Sequence, residues 1–164
     1  ILFALDKAFL NKDYELSIVG EGTERLKLEE KTLELGIHNQ VKFRGELPRD
    51  VVQQIMFDSD CFIMVSESEA FGLVYLEAMG KGCITIGTKG QGIDGVIIHG
   101  VNGFLCENDS IQLAELLKHI NSLTLEELSL ISQNAVKTAL EMTESNVARK
   151  YIDEVRKFSS VNRS

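Results

Sequence analysis

Tryptophan is absent from the 164 residues, proline occurs once, and cysteine occurs three times at widely separated positions. A single proline and 13 glycines without any repeat exclude collagen-like, linker and low-complexity proteins. The cysteines are odd in number, and Cys61, Cys83 and Cys106 each sit in or beside a short apolar run. They read as buried free thiols of a reducing, cytoplasmic setting rather than as a disulfide framework. Long apolar runs are missing too. The stretch Cys61 to Val65 falls far short of the roughly 20 residues a membrane helix needs. Positive charge is in the minority, 17 basic against 25 acidic side chains, for a net charge of −8. Such a surface disfavours polyanionic nucleic acid and anionic lipid as partners, so any bound anion must be held locally. There is no initiator Met and no signal-like start, and Ile1 opens within an apolar helical pattern, so the chain reads as a piece of a longer protein.

What is present is a 44% apolar chain of one ordinary domain's size, able to bury a core without disulfides or metal. Periodicity predicts a helix over 1–10, a strand over 15–19 closed by Gly20-Glu21-Gly22, and a helix over 23–35 with Gly36 as its C-cap. A strand over 41–44 follows, then a helix from Pro48 to about Phe57 and a buried strand over 61–65. Beyond them come a helix over 72–81, a strand over 84–86, a glycine-rich loop over 87–95 and a strand over 104–106. The remainder is helical: 110–120, 124–140 and 145–158, each opened or preceded by Ser or Thr, with a capping box at Thr124 and Glu127. Alternation of short apolar strands with helices implies an α/β fold with a parallel, doubly wound sheet. In such a sheet ligands sit beyond the carboxyl ends of the strands, here after Val19, Arg44, Val65 and Ile86. Gly20-Glu21-Gly22 is more simply a turn than a ligand contact.

The informative stretch runs from Val65 to Gly80 as strand, loop and helix. Its helix is apolar on nearly every side and should be largely buried, yet Glu77 sits in its middle. A carboxylate there must reach a cation, a hydroxyl or solvent. Lys81, four residues on, is the plain partner; a ligand diol bonded by the carboxylate is the other. The helix opening at Phe71, Gly72 and Leu73 presents free N–H groups and the positive end of the dipole to a phosphate or sugar edge. Glu69, just before it, either caps that helix or belongs with Glu67 and Ser68 to a polar cluster facing a ligand. His38 and His99 read as solvated loop residues, His119 suits a helix C-terminus, and no His, Cys and carboxylate cluster has metal-site spacing.

Glu69 and Glu77 stand with seven residues between them within Ser66-x-x-Glu69-x-Phe71-Gly72-Leu73-x-x-x-Glu77-Ala78-Met79-x-x-Gly82, which resembles the E-x7-E signature of retaining group 1 glycosyltransferases. The likeness extends in order over Leu16 to Gly22, Val41 to Gly45, Gly82 to Ile86 and Gly100 to Leu105. It implies a Rossmann-like doubly wound domain, the C-terminal, donor-binding half of a two-domain GT-B enzyme. By position, Glu69 resembles the acid that contacts the transferred sugar and supports the reacting centre, and Glu77 the acid that holds the nucleotide ribose. The amides of Phe71, Gly72 and Leu73 resemble those touching sugar and diphosphate, and the main chain of Glu46 and Leu47 falls where the family lines the base. The family implies a nucleotide-diphosphate sugar as donor, a saccharide or lipid-linked acceptor held by an N-terminal domain, retention of configuration, and no metal or other cofactor. Any membrane association would belong to the part outside this chain.

Val65 replaces the usual proline before Ser66, and Asp94-Gly95 replaces the common Pro-Glu pair of the glycine-rich loop. The family's first strand and the loop carrying its diphosphate-binding cations would precede Ile1, and Arg25 and Lys27 do not match that motif. These departures keep a second reading in play, a non-catalytic α/β binding or regulatory module with a decayed site. They also predict a sheet without its central first strand.

Overall fold

The computed structural model describes residues 1–66 and 72–142. Its elements alternate as α1 (Leu2–Ala8), β1 (Leu16–Val19), α2 (Arg25–Glu34), β2 (Val41–Gly45), α3 (Arg49–Phe57), β3 (Cys61–Ile63), α4 (Leu73–Gly80), β4 (Ile84–Thr88) and β5 (Phe104–Cys106), followed by α5 (Ser110–Ser122) and α6 (Leu125–Glu141). The helix expected over 145–158, with its stripe of Val147, Tyr151 and Val155, lies outside the described residues.

Every strand pairing is parallel, as the alternation of elements predicts. The sheet is interrupted, as the expected lack of a central first strand implies. β1 pairs with β2 in one sheet, and β3, β4 and β5 form a second in that order. No described strand pairs with the remaining edge of β1 or of β3. The two sheets still share one interior: Leu16 of β1 and Cys61 and Ile63 of β3 pack on the same cluster, built from Ala4, Leu5, Ile84, Ile86, Phe104, Leu113 and Leu117. Helix α3 carries the chain from one sheet to the other.

Between β4 and β5 the crossover is the loop over 89–103 instead of a helix. Ile93 and Ile97 of this loop are fully buried against Tyr75 and Met79. They come so close to β4 that a Cβ on Gly87 would lie 2.7 Å from Ile93 Cγ2 and 3.3 Å from Tyr75 Cε1. The buried Asn102 pins the same loop, accepting from the Ile98 N–H at 2.7 Å and donating to the Val96 carbonyl at 3.0 Å and to Thr138 Oγ1 on α6 at 2.9 Å.

Helix ends follow local chemistry. Thr124 and Glu127 form the capping box of α6, and hydrogen bonding to Thr124 holds the Glu127 carboxyl below its usual range. Helix α5 departs from the expected Ser cap. Asp109 takes that position, one carboxylate oxygen accepting from the N–H groups of Ile111 and Gln112 at 2.9 and 2.8 Å, so Ser110 becomes the first helical residue. Pro48 stands at the N-cap of α3, one residue before the first turn, where it gives up no helical donor.

All three thiols are free. Burial pushes Cys61 up to about 12 and Cys83 up to about 11. Cys83 donates its S–H to the Met56 carbonyl at 3.0 Å. Among the described residues no helix is long and apolar enough to cross a membrane.

Candidate functional site

The carboxyl ends of the strands bring the expected segments to one rim. At the end of β1 the Gly20 N–H donates to the Gly45 carbonyl at 2.8 Å, joining the Gly20-Glu21-Gly22 turn to the exit of β2. Gly45 has φ +67°, a left-handed backbone that favours glycine, and the mobile tip of exposed Glu21 lies over it. From Gly45 the chain passes through exposed Glu46 and half-buried Leu47 into α3. At the end of β3 the Ser66 N–H donates to Thr88 Oγ1 on β4 at 2.9 Å, while Ser66 Oγ is buried without a partner among the described residues.

Helix α4 leaves this rim. Gly72 precedes it in the left-handed region, φ +61° and ψ +64°, a conformation cheap only for glycine. Tyr75, Ala78 and Met79 are buried, and the Tyr75 hydroxyl donates to the Met64 carbonyl at 2.6 Å, fixing α4 to the strand it follows. The helix is largely buried as expected, but Leu73 is 67% exposed. Leu73 and Glu77 are four residues apart and therefore share the helix face turned away from the core. Apolar composition predicted burial; in the first turn of α4, Leu73 has no cover among the described residues.

Glu77 is half-buried and does reach a cation, but not Lys81. Its Oε1 accepts from Nη2 of Arg49, the first residue of α3, at 2.6 Å. Lys81 is instead the residue that closes α4. Sequence reasoning missed Arg49. One signal was available: an arginine in the first turn of a helix faces the positive end of the dipole, which disfavours it and hints at another partner.

Of the sequence-derived site residues, the structure brings Gly72, Leu73 and Glu77 onto α4 and places Glu46 and Leu47 at the entry of α3, whose first residue bonds Glu77. Glu69 and Phe71, with Glu67 and Ser68, lie outside the described residues. Arg25 and Lys27 are engaged on α2. Arg25 bonds Glu29 at 2.9 Å and pairs with Glu21, both of which hold its guanidinium above its ordinary value; Lys27 bonds Glu24 at 2.9 Å. Asp94 is satisfied within its own loop by the Gly90 N–H at 2.6 Å. His99 is exposed yet not merely solvated: the Leu105 N–H donates to its Nδ1 at 3.1 Å, and its ring stands edge-on to Phe104. Among the described residues no group of three or more His, Cys, Asp and Glu side chains could hold a metal. The two shallow depressions of the surface, on α6 around Leu125 and Leu130 and between α1 and α5 around Phe3 and Ile111, lie away from Glu77.

Parallel strands with helical crossovers, carrying a half-buried carboxylate and a left-handed glycine near their carboxyl ends, define a Rossmann-like domain, a class in which ligands sit beyond the strand ends. Relatives give that class its family. The profile of the glycosyl transferases group 1 family matches residues 2–140, and the chain belongs to this family. The N-acetyl-alpha-D-glucosaminyl L-malate synthase of Bacillus anthracis is 39% identical over 107 residues, 65% of this chain and 28% of the relative. The C-terminal domain of the group 1 glycosyl transferase LpcC from Francisella tularensis shares the fold with a TM-score of 0.77 at 27% identity, over 86% of this chain and 76% of that one. Anabaena HepE, solved with UDP and glucose, matches with a TM-score of 0.76 at 26% identity, over 94% of this chain and 44% of HepE. The fold is thus the Rossmann-like α/β fold of GT-B glycosyltransferases, and the chain spans under a third of the length of the B. anthracis relative.

Proposed function

We propose that the chain is a single domain that binds the donor of a retaining glycosyltransferase, a nucleotide-diphosphate sugar whose sugar passes to a saccharide or lipid-linked acceptor. The observation that carries the reading is the placement of Glu77: a half-exposed carboxylate on the outer face of α4, beside the entry of α3 and one helical turn from the Gly72 opening. A carboxylate so placed can accept two ribose hydroxyls in charge-assisted bonds. HepE, whose structure holds UDP and glucose, supports this nucleotide-sugar reading.

In this proposal Glu77 takes the ribose and the main chain of Glu46 and Leu47 lines the base. The amides of Phe71, Gly72 and Leu73 take the sugar and diphosphate, and Glu69 contacts the transferred sugar and supports positive charge developing at its anomeric carbon. No metal takes part. The acceptor is held by an N-terminal domain of the whole protein, which works in the cytoplasm, at the membrane face where the acceptor is lipid-linked. The family membership and the nucleotide-sugar complexes of its relatives favour this over a decayed binding module.

The test is calorimetric titration of UDP, GDP and ADP into the full-length protein in the presence of EDTA, alongside Glu77→Ala. One nucleotide should bind selectively and weaken by about 1–3 kcal/mol in the variant, the cost of leaving hydrogen-bonding groups unpaired. Equal affinity in the two proteins would show the site to be misplaced. Absence of binding to a well-folded protein would favour the decayed module.

A further inference from the structure

We propose that Arg49 is a positioning residue for the donor nucleotide: its guanidinium fixes the Glu77 carboxylate through Oε1 and leaves Oε2 to accept a ribose hydroxyl. The inference rests on the donor-site reading of Glu77 and deepens it by adding a residue that this reading does not assign.

The pair joins residues 28 positions apart, from the first turn of α3 and the middle of α4. It does not serve to hold those helices together. Met56, Ala78 and Cys83 are buried between them, with Val52 and Val74 packed against the cluster. An ion pair whose arginine is 83% exposed adds little to such a contact. What the pair does accomplish is geometric. A glutamate side chain on a helix surface samples several rotamers, and a ligand that needs one of them must immobilise it. One charge-assisted bond at 2.6 Å removes that freedom in advance. The bond uses one N–H of a guanidinium that carries five, and a single oxygen of the carboxylate, so the partners can stay joined while the second oxygen engages a ligand. The position of Arg49 against the helix dipole agrees, because a cation placed there for stability alone would be poorly sited.

The experiment uses the nucleotide among UDP, GDP and ADP that binds the full-length protein most tightly. Its affinity is measured for wild type, Arg49→Ala, Arg49→Lys, Glu77→Ala and the Arg49→Ala/Glu77→Ala double variant. Loss of preordering should weaken binding about three- to tenfold in Arg49→Ala. Lysine, a cation without the planar fork, should restore part of that loss. In the Glu77→Ala background the Arg49 substitution should change nothing further, which neither a general loss of stability nor a direct contact to phosphate would reproduce. Unchanged or tighter binding in Arg49→Ala, or the same loss with and without Glu77, overturns the proposal while leaving the donor site standing. If Glu77→Ala itself binds normally, the donor-site reading fails first.

Discussion

Gly87→Ala replaces a hydrogen in the middle of β4 by a methyl group that has nowhere to go. The new Cβ would lie 2.7 Å from Ile93 Cγ2, 3.3 Å from Tyr75 Cε1 and 3.5 Å from Ile97 Cδ1, and all three side chains are buried to 2% exposure or less. Carbon atoms rest about 3.5–4.0 Å apart, so Ile93 must retreat by roughly 1 Å in a core that offers no free volume. Overpacking of that kind costs about 1–3 kcal/mol, and the strain falls on the contact between β4 and the loop over 89–103. Amide exchange of peptides covering 84–106, measured in the full-length protein, reads the opening energy of this region directly. Gly87→Ala should lower it by about 2 kcal/mol. The double variant with Ile93→Ala supplies the sharper comparison: Ile93→Ala alone leaves a cavity and costs about 2–5 kcal/mol, but with the isoleucine gone the added methyl loses its tightest contact and keeps only those to Tyr75 and Ile97. The two effects should therefore fall short of additivity by 1 kcal/mol or more. Strict additivity would refute the claim that Ile93 makes glycine obligatory at this position.

Two further outcomes follow from the same structure. Asp109→Ala should cost α5 about 1 kcal/mol, seen as faster amide exchange in its first turn, whereas Asp109→Asn should be nearly silent. The buried thiols give an alkaline limit. Their folded values, about 12 and about 11, lie above the ordinary 9, so below pH 9 folded and unfolded chains both keep these protons and pH has no effect through them. Between pH 9 and about 11 the unfolded chain sheds thiol protons that the folded one retains, and stability falls by about 1.4 kcal/mol per pH unit for each thiol. Urea midpoints from pH 8 to 10.5 should drop more steeply for wild type than for Cys61→Ala/Cys83→Ala; parallel slopes would remove the thiols as the cause.

The order and kind of the described elements were legible because each carried its own local signal. Thr124 and Glu127 announced α6, Gly36 stands past the end of α2 at φ +64°, and the short, mostly apolar runs of β3, β4 and β5 marked them as strands. Asp109 was overlooked for Ser110 because both are capping residues and only geometry shows which of two neighbours has left the helix. Leu73 was misjudged because composition reports how apolar a helix is and says nothing about which end of it runs out of neighbours. The partner of Glu77 was out of reach for a different reason. Helical periodicity relates a residue to its fourth neighbour and so offered Lys81, while Arg49 arrives from another helix whose approach is set by the packing of Met56 on Ala78. The break between the sheets, by contrast, was legible, because the resemblance places a central first strand between β1 and β3 and no segment of this sequence supplies it.

That break leaves two strand edges of interior character among the described residues. Strands at the margin of a sheet usually carry charge or proline that discourages pairing with strangers, and β2 does so with exposed Lys42 and Arg44. The bare edges of β1 and β3 have no such guard, for Leu16–Val19 and Cys61–Ile63 contain no charged residue and no proline. They have the composition of interior strands, and among the described residues no further strand covers them. An edge of this make-up suits pairing with one more strand, which would extend the core that Leu16, Cys61 and Ile63 already share.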